Sequence, residues 1–260
     1  MVEKVAQKEI ERISQDGREV IQDFLIEEFP LTIFLNEKEL VTLLCTPENL
    51  QALVLGFLHG EGIIKIPEDI ISWQLDEEKG VAQVKTKKVD TLAERLYEKR
   101  LIPTGCGKGT IFFNALDVLG RKAVESSLQV KVESIHNLLK KLLHSSQLFQ
   151  LTGAVHSVAL CSEEEIIVLS EDVARHNAID KVIGHCLLNN ISPKDKIIVV
   201  TGRISSEMLS KVAKLQVPIL VSKSAPTRLA VDMAEKLGIT LVGFVRGRRM
   251  NIYTRRDRIN

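Results

Sequence analysis

The sequence predicts an α/β protein, α+β overall: a smaller mixed α+β unit at the N-terminus, then a larger unit built on a mostly parallel sheet. Three observations carry this. After residue 195, apolar runs alternate strictly with amphipathic stretches: "KIIVVTG", "SSEMLSKVAKLQ", "VPILVSK", "APTRLAVDMAEKLG", "ITLVGFV". That is the pattern of strands buried on both faces between covering helices. Earlier, "PLTIFLNEKELVTLLC" alternates apolar and polar residues around Asn36 and Glu37, as a hairpin does. The chain's 260 residues, 45% hydrophobic and 27% charged, are enough for a sizeable core and two domains.

The elements follow in order. The opening "MVEKVAQKEIERISQDG" is charged throughout, and no run reaches the length of a membrane span. With no signal peptide recognisable, the expected location is the cytoplasm. After the hairpin, "TPENLQALVLGFLHGEG" places Thr46 as N-cap and Pro47 at the first helical position, with Leu50, Leu53, Val54 and Phe57 at helical spacing. "VAQVKTKKV" is a further strand, and "LIPTGCGKGT" a glycine loop. "VESIHNLLKKLLHSSQLFQ" is an amphipathic helix; "AVHSVALC" and "EIIVLSED" form a hairpin turning through Ser162 and Glu163; "VARHNAIDKVIGHCLLNN" is helical. The divisions expected are an N-terminal α+β domain (1–105), a loop and connector (106–131) and a C-terminal α/β domain (132–260).

Composition excludes some classes. A net charge of +1 argues against non-specific binding of nucleic acid or membrane by the chain as a whole. Cys45, Cys106, Cys161 and Cys186 lack paired spacing, which argues against disulfides and zinc knuckles. Cys45, Cys161 and Cys186 sit in apolar runs and read as packing residues. Cys106 differs: Gly105, Gly107 and Gly109 surround it with mobile, unshielded backbone, and Lys108 offers a charge that favours the thiolate. It is a reactive thiol or an incidental loop cysteine. The loop fits neither phosphate motif, since Gly109 stands where a Walker loop needs Ser or Thr, and Thr110 where the dinucleotide fingerprint needs glycine. His156, His176 and His185 suggest a metal, but His176 and His185 face opposite sides of one helix and no cysteine pair completes a set. No protein-ligated metal is expected.

Anion binding is better supported. "TGRISSE" (Thr201, Gly202, Arg203, Ser205, Ser206) and "SKSAPT" (Ser222, Ser224, Thr227) each follow a strand and open a helix. Free N–H groups at helix starts favour phosphate, and open α/β sheets place ligands at the carboxyl ends of strands. "GFVRGRRMNIYTRRDR" then concentrates Arg246, Arg248 and Arg249 around Gly247, which would let the backbone approach a ligand. A ligand with several negative charges is implied. Asp172 is placed to cap a helix whose first turns carry Arg175, His176, Asn177 and Asp180; His156, Asp172 and Asn177 are candidates for reading a base or sugar.

The blocks "GFLHGEGII", "GCGKG", "TGAVHSVAL", "EDVARHNAIDKVIG", "TGRISSEM", "SAPTRLAVDMAEKLGITLVGFVRG" and "NIYT" resemble, in order, the FdhD family of formate dehydrogenase accessory proteins, from about residue 25 to the end. The resemblance implies a cytoplasmic sulfur carrier, a sulfurtransferase holding a cysteine persulfide. It would take sulfur from a cysteine desulfurase and pass it to the molybdenum cofactor, in its bis(molybdopterin guanine dinucleotide) form, for the catalytic subunit of formate dehydrogenase. The persulfide cysteine falls on Cys106, and the cofactor-binding stretch on Phe244, Val245, Arg246, Gly247, Arg248 and Arg249. Many members carry Cys-x-x-Cys, whereas here the second position is Gly109. The resemblance also implies a cytidine-deaminase-like three-layer fold in the C-terminal half, without the deaminase zinc signature, since His156 is followed by Ser157 and Val158. It leans toward a homodimer. The rival functions are a chaperone that delivers the cofactor without sulfur chemistry and, more remotely, a deaminase.

Overall fold

The computed structural model describes residues 2–87 and 122–260. Cys106 and its glycine loop lie outside them. Strands β1 (Val5–Ser14) and β2 (Gly17–Ile26) form an antiparallel ribbon over the charged opening segment. Next come β3 (Phe29–Leu35) and β4 (Lys38–Cys45), joined through Asn36 (φ 48) and Glu37 (φ 71). That two-residue left-handed turn matches the twist of the flanking strands. With β5 (Ile70–Asp76) and β6 (Val81–Thr86) they make a sheet of order β4-β3-β6-β5, in which β3 and β6 run parallel. Helix α1 (Leu50–Glu61) lays Leu50, Leu53, Val54 and Phe57 on Leu31, Ile33, Ala82 and Val84 of that sheet.

Helix α1 starts later than the sequence predicts. Its N-cap is Asn49, not Thr46. Thr46 is instead buried: its N–H donates to Asp172 Oδ2 (3.1 Å), its hydroxyl accepts from the N–H of Val173 (3.2 Å), and its carbonyl accepts from Lys181 Nζ (3.0 Å). Tertiary partners claim the groups that local capping would have used.

The predicted helix after residue 131 breaks in two, α2 (Val132–Ser145) and α3 (Gln147–Thr152). At the break the Ser146 hydroxyl donates to the carbonyl of Leu142 (2.7 Å), and the Glu171 carboxylate accepts the N–H groups of Leu148 and Phe149. Hairpin β7 (His156–Cys161) and β8 (Ile166–Asp172), helix α4 (Arg175–Leu188), strand β9 (Ile197–Val200), helix α5 (Ser206–Lys214), strand β10 (Ile219–Ser222), helix α6 (Arg228–Leu237) and strands β11 (Thr240–Arg246) and β12 (Arg249–Ile252) complete the chain. The sheet order is β12-β11-β10-β9-β7-β8, parallel at its centre (β9, β10, β11) and antiparallel on both flanks.

Alternating residues of these strands face two cores, giving three layers. Ile197, Val199, Ile219 and Val221 meet Ile135, Leu138 and Leu142 of α2. Ile198, Val200 and Leu220 meet Ile179, Ile183, Leu209 and Met233 from α4, α5 and α6. The end of the 106–131 connector packs here too: Val124 N–H donates to Leu237 O, and Val130 bridges in parallel to Ile259.

The two units are joined by the crossing of α1 and α4. A Cβ built on Gly56 would lie 1.7 Å from the Asp180 carbonyl oxygen, and one on Gly184 would lie 1.8 Å from that of Ala52. Only glycine lets the backbones approach so closely. Buried charges flank the crossing: Lys181 Nζ lies 2.6 Å from Asp172 Oδ2, Lys211 Nζ 2.6 Å from Asp180 Oδ1, and Lys214 Nζ donates to Gly60 O.

Candidate functional site

The carboxyl ends of β9, β10 and β11 come together at one edge of the sheet, and the start of antiparallel β7 joins them there. Between this edge and the end of α3 opens a cleft of about 370 Å³, lined by Phe149, Gly153, Ala154, Val155, His156, Thr201, Lys223, Ser224 and Arg246. Four residues singled out from the sequence (His156, Thr201, Ser224 and Arg246) therefore meet in space, although they span 91 positions of chain.

Each is held by its neighbours. Thr201 is tied across the β7–β9 seam, its hydroxyl accepting the N–H of Ser157 (3.0 Å) and its own N–H donating to Ser157 O (3.1 Å). The Ser222 hydroxyl is buried; it donates to Gly202 O (2.7 Å) and accepts from Ser224 N–H (2.9 Å), fastening the two loops together. Ser222 is thus a strut between the loops. Phe244 sits in the left-handed region (φ 53) at a bulge in β11, with its N–H donating to Ser224 O (3.0 Å). A non-glycine residue held there is the kind of local strain that collects at binding sites. The bulge re-aims Arg246, which lies over the Phe244 ring (5.9 Å to its centroid) and donates from Nε to Lys223 O (3.3 Å). Val245 is buried in the core. Gly247 (φ 58) and Arg248 form the tip of the β11–β12 hairpin. The glycine meets the needs of a turn. Arg248 and Arg249 are exposed beside it.

The helix starts serve differently from the sequence expectation. Ser205 accepts the N–H of Met208 and Thr227 that of Ala230, so both hydroxyls cap their own helices. Ser206 is the first residue of α5. The loops just before the helices, through Thr201, Lys223 and Ser224, are what line the cleft. Asp172 and Asn177 also lie elsewhere. Asp172 does not cap α4 at its N-cap, which is Ala174; it is wholly buried, taking the Lys181 ammonium and donors from Thr46, Ala174 and Asn177. Asn177 donates to Leu44 O (2.8 Å). These two residues hold the N-terminal unit against α4.

The electrostatics of the cleft is cationic. Lys223 and Arg246 line it, and the exposed Arg203 lies near enough for its charge to act on His156. Burial lowers the pKa of His156 from its ordinary value; Arg175, His176 and Arg203 push the same way, and Asp172 opposes them. The His156 imidazole lies against Gly202, where an added Cβ would be 3.2 Å from its Nδ1. Lys223 and the α3 end of the cleft escape sequence reasoning. Lys223 lies inside "SKSAPT" but is overshadowed by its hydroxyl neighbours, and nothing in "FQLTGAV" signals a wall.

The described thiols are shielded. Cys45, Cys161 and Cys186 are buried, and burial pushes their pKa values up to about 12, 12 and 11. Among the described residues, no three His, Cys, Asp or Glu side chains group as metal ligands would, and no helix is long and apolar enough to cross a membrane.

Comparison with known proteins agrees along nearly the whole chain. The sulfur carrier protein FdhD of Bacillus subtilis (strain 168) is 45% identical over 254 residues, covering 98% of this chain and 97% of that protein. The protein of the same name from Geobacillus kaustophilus is 44% identical, with 92% and 90% covered. A crystal structure from Desulfotalea psychrophila, described as a formate dehydrogenase accessory protein, superimposes with a TM-score of 0.80 at 28% identity, covering 99% of this chain and all of that one. The FdhD/NarQ family model matches residues 26–260, and the chain belongs to that family.

Proposed function

We propose that this chain is a sulfur carrier serving formate dehydrogenase, with Cys106 as the carrying thiol and the cationic cleft as the seat of the acceptor. The observation that supports Cys106 is that the other three of the four cysteines are buried, and burial pushes their thiols up to about 11 to 12. The thiolate is the nucleophile in sulfur exchange, so their burial argues against those three as carriers.

In the loading step the Cys106 thiolate attacks the terminal sulfur of a persulfide on a cysteine desulfurase. A new S–S bond forms, the donor's S–S bond breaks, and the donor's thiolate leaves. No net oxidation or reduction occurs. Lys108, two residues on, favours the thiolate. The acceptor is the molybdenum cofactor in its bis(molybdopterin guanine dinucleotide) form, a cargo that carries several phosphates. Lys223, Arg246 and Arg203 supply charge to hold them, Thr201 and Ser224 supply polar groups, and Arg248 and Arg249 extend the positive surface. On this reading the protein is a cytoplasmic sulfurtransferase.

The test is loading from a desulfurase with radiolabelled cysteine. Wild type becomes labelled and Cys106→Ala does not; equal labelling of the variant overturns the assignment. Gly109, standing where many members place a second cysteine, keeps one rival tenable, a chaperone that carries the cofactor without sulfur. That rival predicts that Cys106→Ala still matures formate dehydrogenase while Arg246→Ala does not.

A further inference from the structure

We propose that His156 is a proton-coupled anion ligand of the cleft: uncharged in the free protein, it takes up a proton when a polyphosphate settles beside it. This rests on the reading that the cleft receives phosphates. It adds that the cleft grips its ligand more tightly as pH falls.

The argument starts from what faces the imidazole. Helix α4 presents Arg175 and His176, the loop after β9 presents Arg203, and Lys223 and Arg246 stand across the cleft. Among the described residues, the neighbouring carboxylates Asp172, Glu171 and Glu207 already have other partners. Asp172, the cross-strand neighbour of His156, is bound to the Lys181 ammonium and to donors from Thr46, Ala174 and Asn177. Glu171, one residue earlier on β8, accepts from Leu148, Phe149 and Ser157. Glu207 on α5 lies 2.8 Å from His176 Nε2. A half-buried imidazole among cations, with these three carboxylates engaged elsewhere, stays neutral. Those same cations draw in a multivalent anion, whose charge reverses the balance at His156. Protonation then makes both ring nitrogens donors. By linkage, whatever the anion does to the affinity for the proton, the proton does to the affinity for the anion.

The probe is cyclic trimetaphosphate, a trianion with no titrating group near neutrality, so that any proton taken up belongs to the protein. Calorimetric titration of the full chain in two buffers of different ionisation heat should show uptake approaching one proton per bound anion near pH 7. Affinity should tighten by up to about tenfold per pH unit of acidification where the linkage is complete. His156→Gln should bind with an affinity nearly independent of pH and without proton uptake. His144→Gln, on the exposed end of α2, should behave as wild type. A proton NMR titration of the wild-type imidazoles gives the answer without any substitution: one of the six histidines should titrate at higher pH with the probe present. Binding without uptake, or uptake undiminished in His156→Gln, overturns the proposal and leaves the phosphate-binding cleft standing. Failure of wild type to bind the probe overturns both.

Discussion

Gly56→Ala separates two effects of opposite sign. Gly56 lies inside α1, where alanine is better than glycine by about 1 kcal/mol of intrinsic helix propensity. Judged from the helix alone, the substitution stabilises. In the crossing with α4, however, the new methyl would lie 1.7 Å from the Asp180 carbonyl oxygen and 2.5 Å from its carbon. Ordinary contact begins near 3.4 Å, so the helices must part by well over an ångström. The obstacle is backbone in the middle of α4, which cannot rotate aside as a side chain does. Overpacking a well-packed core costs about 1–3 kcal/mol, sometimes more. With the upper figure appropriate here, the net effect is a loss of about 2 kcal/mol after the propensity gain. Urea denaturation followed by circular dichroism should show the midpoint falling by about 1 M, for a slope near 2 kcal/mol per M. Because the crossing joins the two units, Gly184→Ala should act alike. A midpoint that rises in Gly56→Ala would refute the close crossing.

Lys181→Met should cost about 3–5 kcal/mol, because it leaves the wholly buried Asp172 carboxylate without its cation. Adding Asp172→Asn should restore part of the loss, and an unchanged denaturation midpoint in the single variant would count against the pairing. Gly202→Ala should leave stability within about 1 kcal/mol, since the methyl meets mainly the His156 ring at 3.2 Å. It should nevertheless weaken anion binding measured by calorimetry; unaltered affinity would show that the ring does not face the ligand. At pH 8, a thiol with pKa near 12 is ionised to about one part in ten thousand. A disulfide reagent should therefore modify one thiol in the native chain and four after denaturation, and a second fast-reacting thiol in the native chain would contradict the burial of the other three. The same shifts set the sign of alkaline stability. Above pH 9 the unfolded thiols release protons that the folded ones keep until pH 11 to 12, so stability falls through that window.

Much of the architecture is legible in the sequence because it rests on local periodicity. The Asn36–Glu37 turn, the β7–β8 hairpin and the alternation from β9 to β11 each follow from side chains whose burial repeats with the element's own period. The β1–β2 ribbon is hidden because its strands are mostly exposed, with Ile13 and Val20 at 65% and 67%, and so carry little apolar alternation. Thr46 and Asp172 mislead for a shared reason. Each has the chemistry of a helix cap, yet each is drawn into a contact with the other unit more than a hundred residues away, Thr46 N–H with Asp172 and Thr46 Oγ1 with the N–H of Val173.

For the candidate site, residue types point to an anion and the fold selects which residues can serve it. The sequence by itself determined that hydroxyl-bearing and cationic residues would gather at strand ends, since "TGR", "SKS" and "VRGRR" each follow an apolar run. It also determined that Cys106 differs from the other thiols, which are embedded in apolar segments. Only the tertiary structure decided that His156, Thr201, Ser224 and Arg246 share one cleft while Ser205, Ser222, Thr227, Asp172 and Asn177 serve the scaffold. The physical reason is that a hydrogen-bonding group carries no mark of its partner. Whether it meets a ligand or a neighbouring loop depends on which strands lie side by side, and that is fixed by non-local packing.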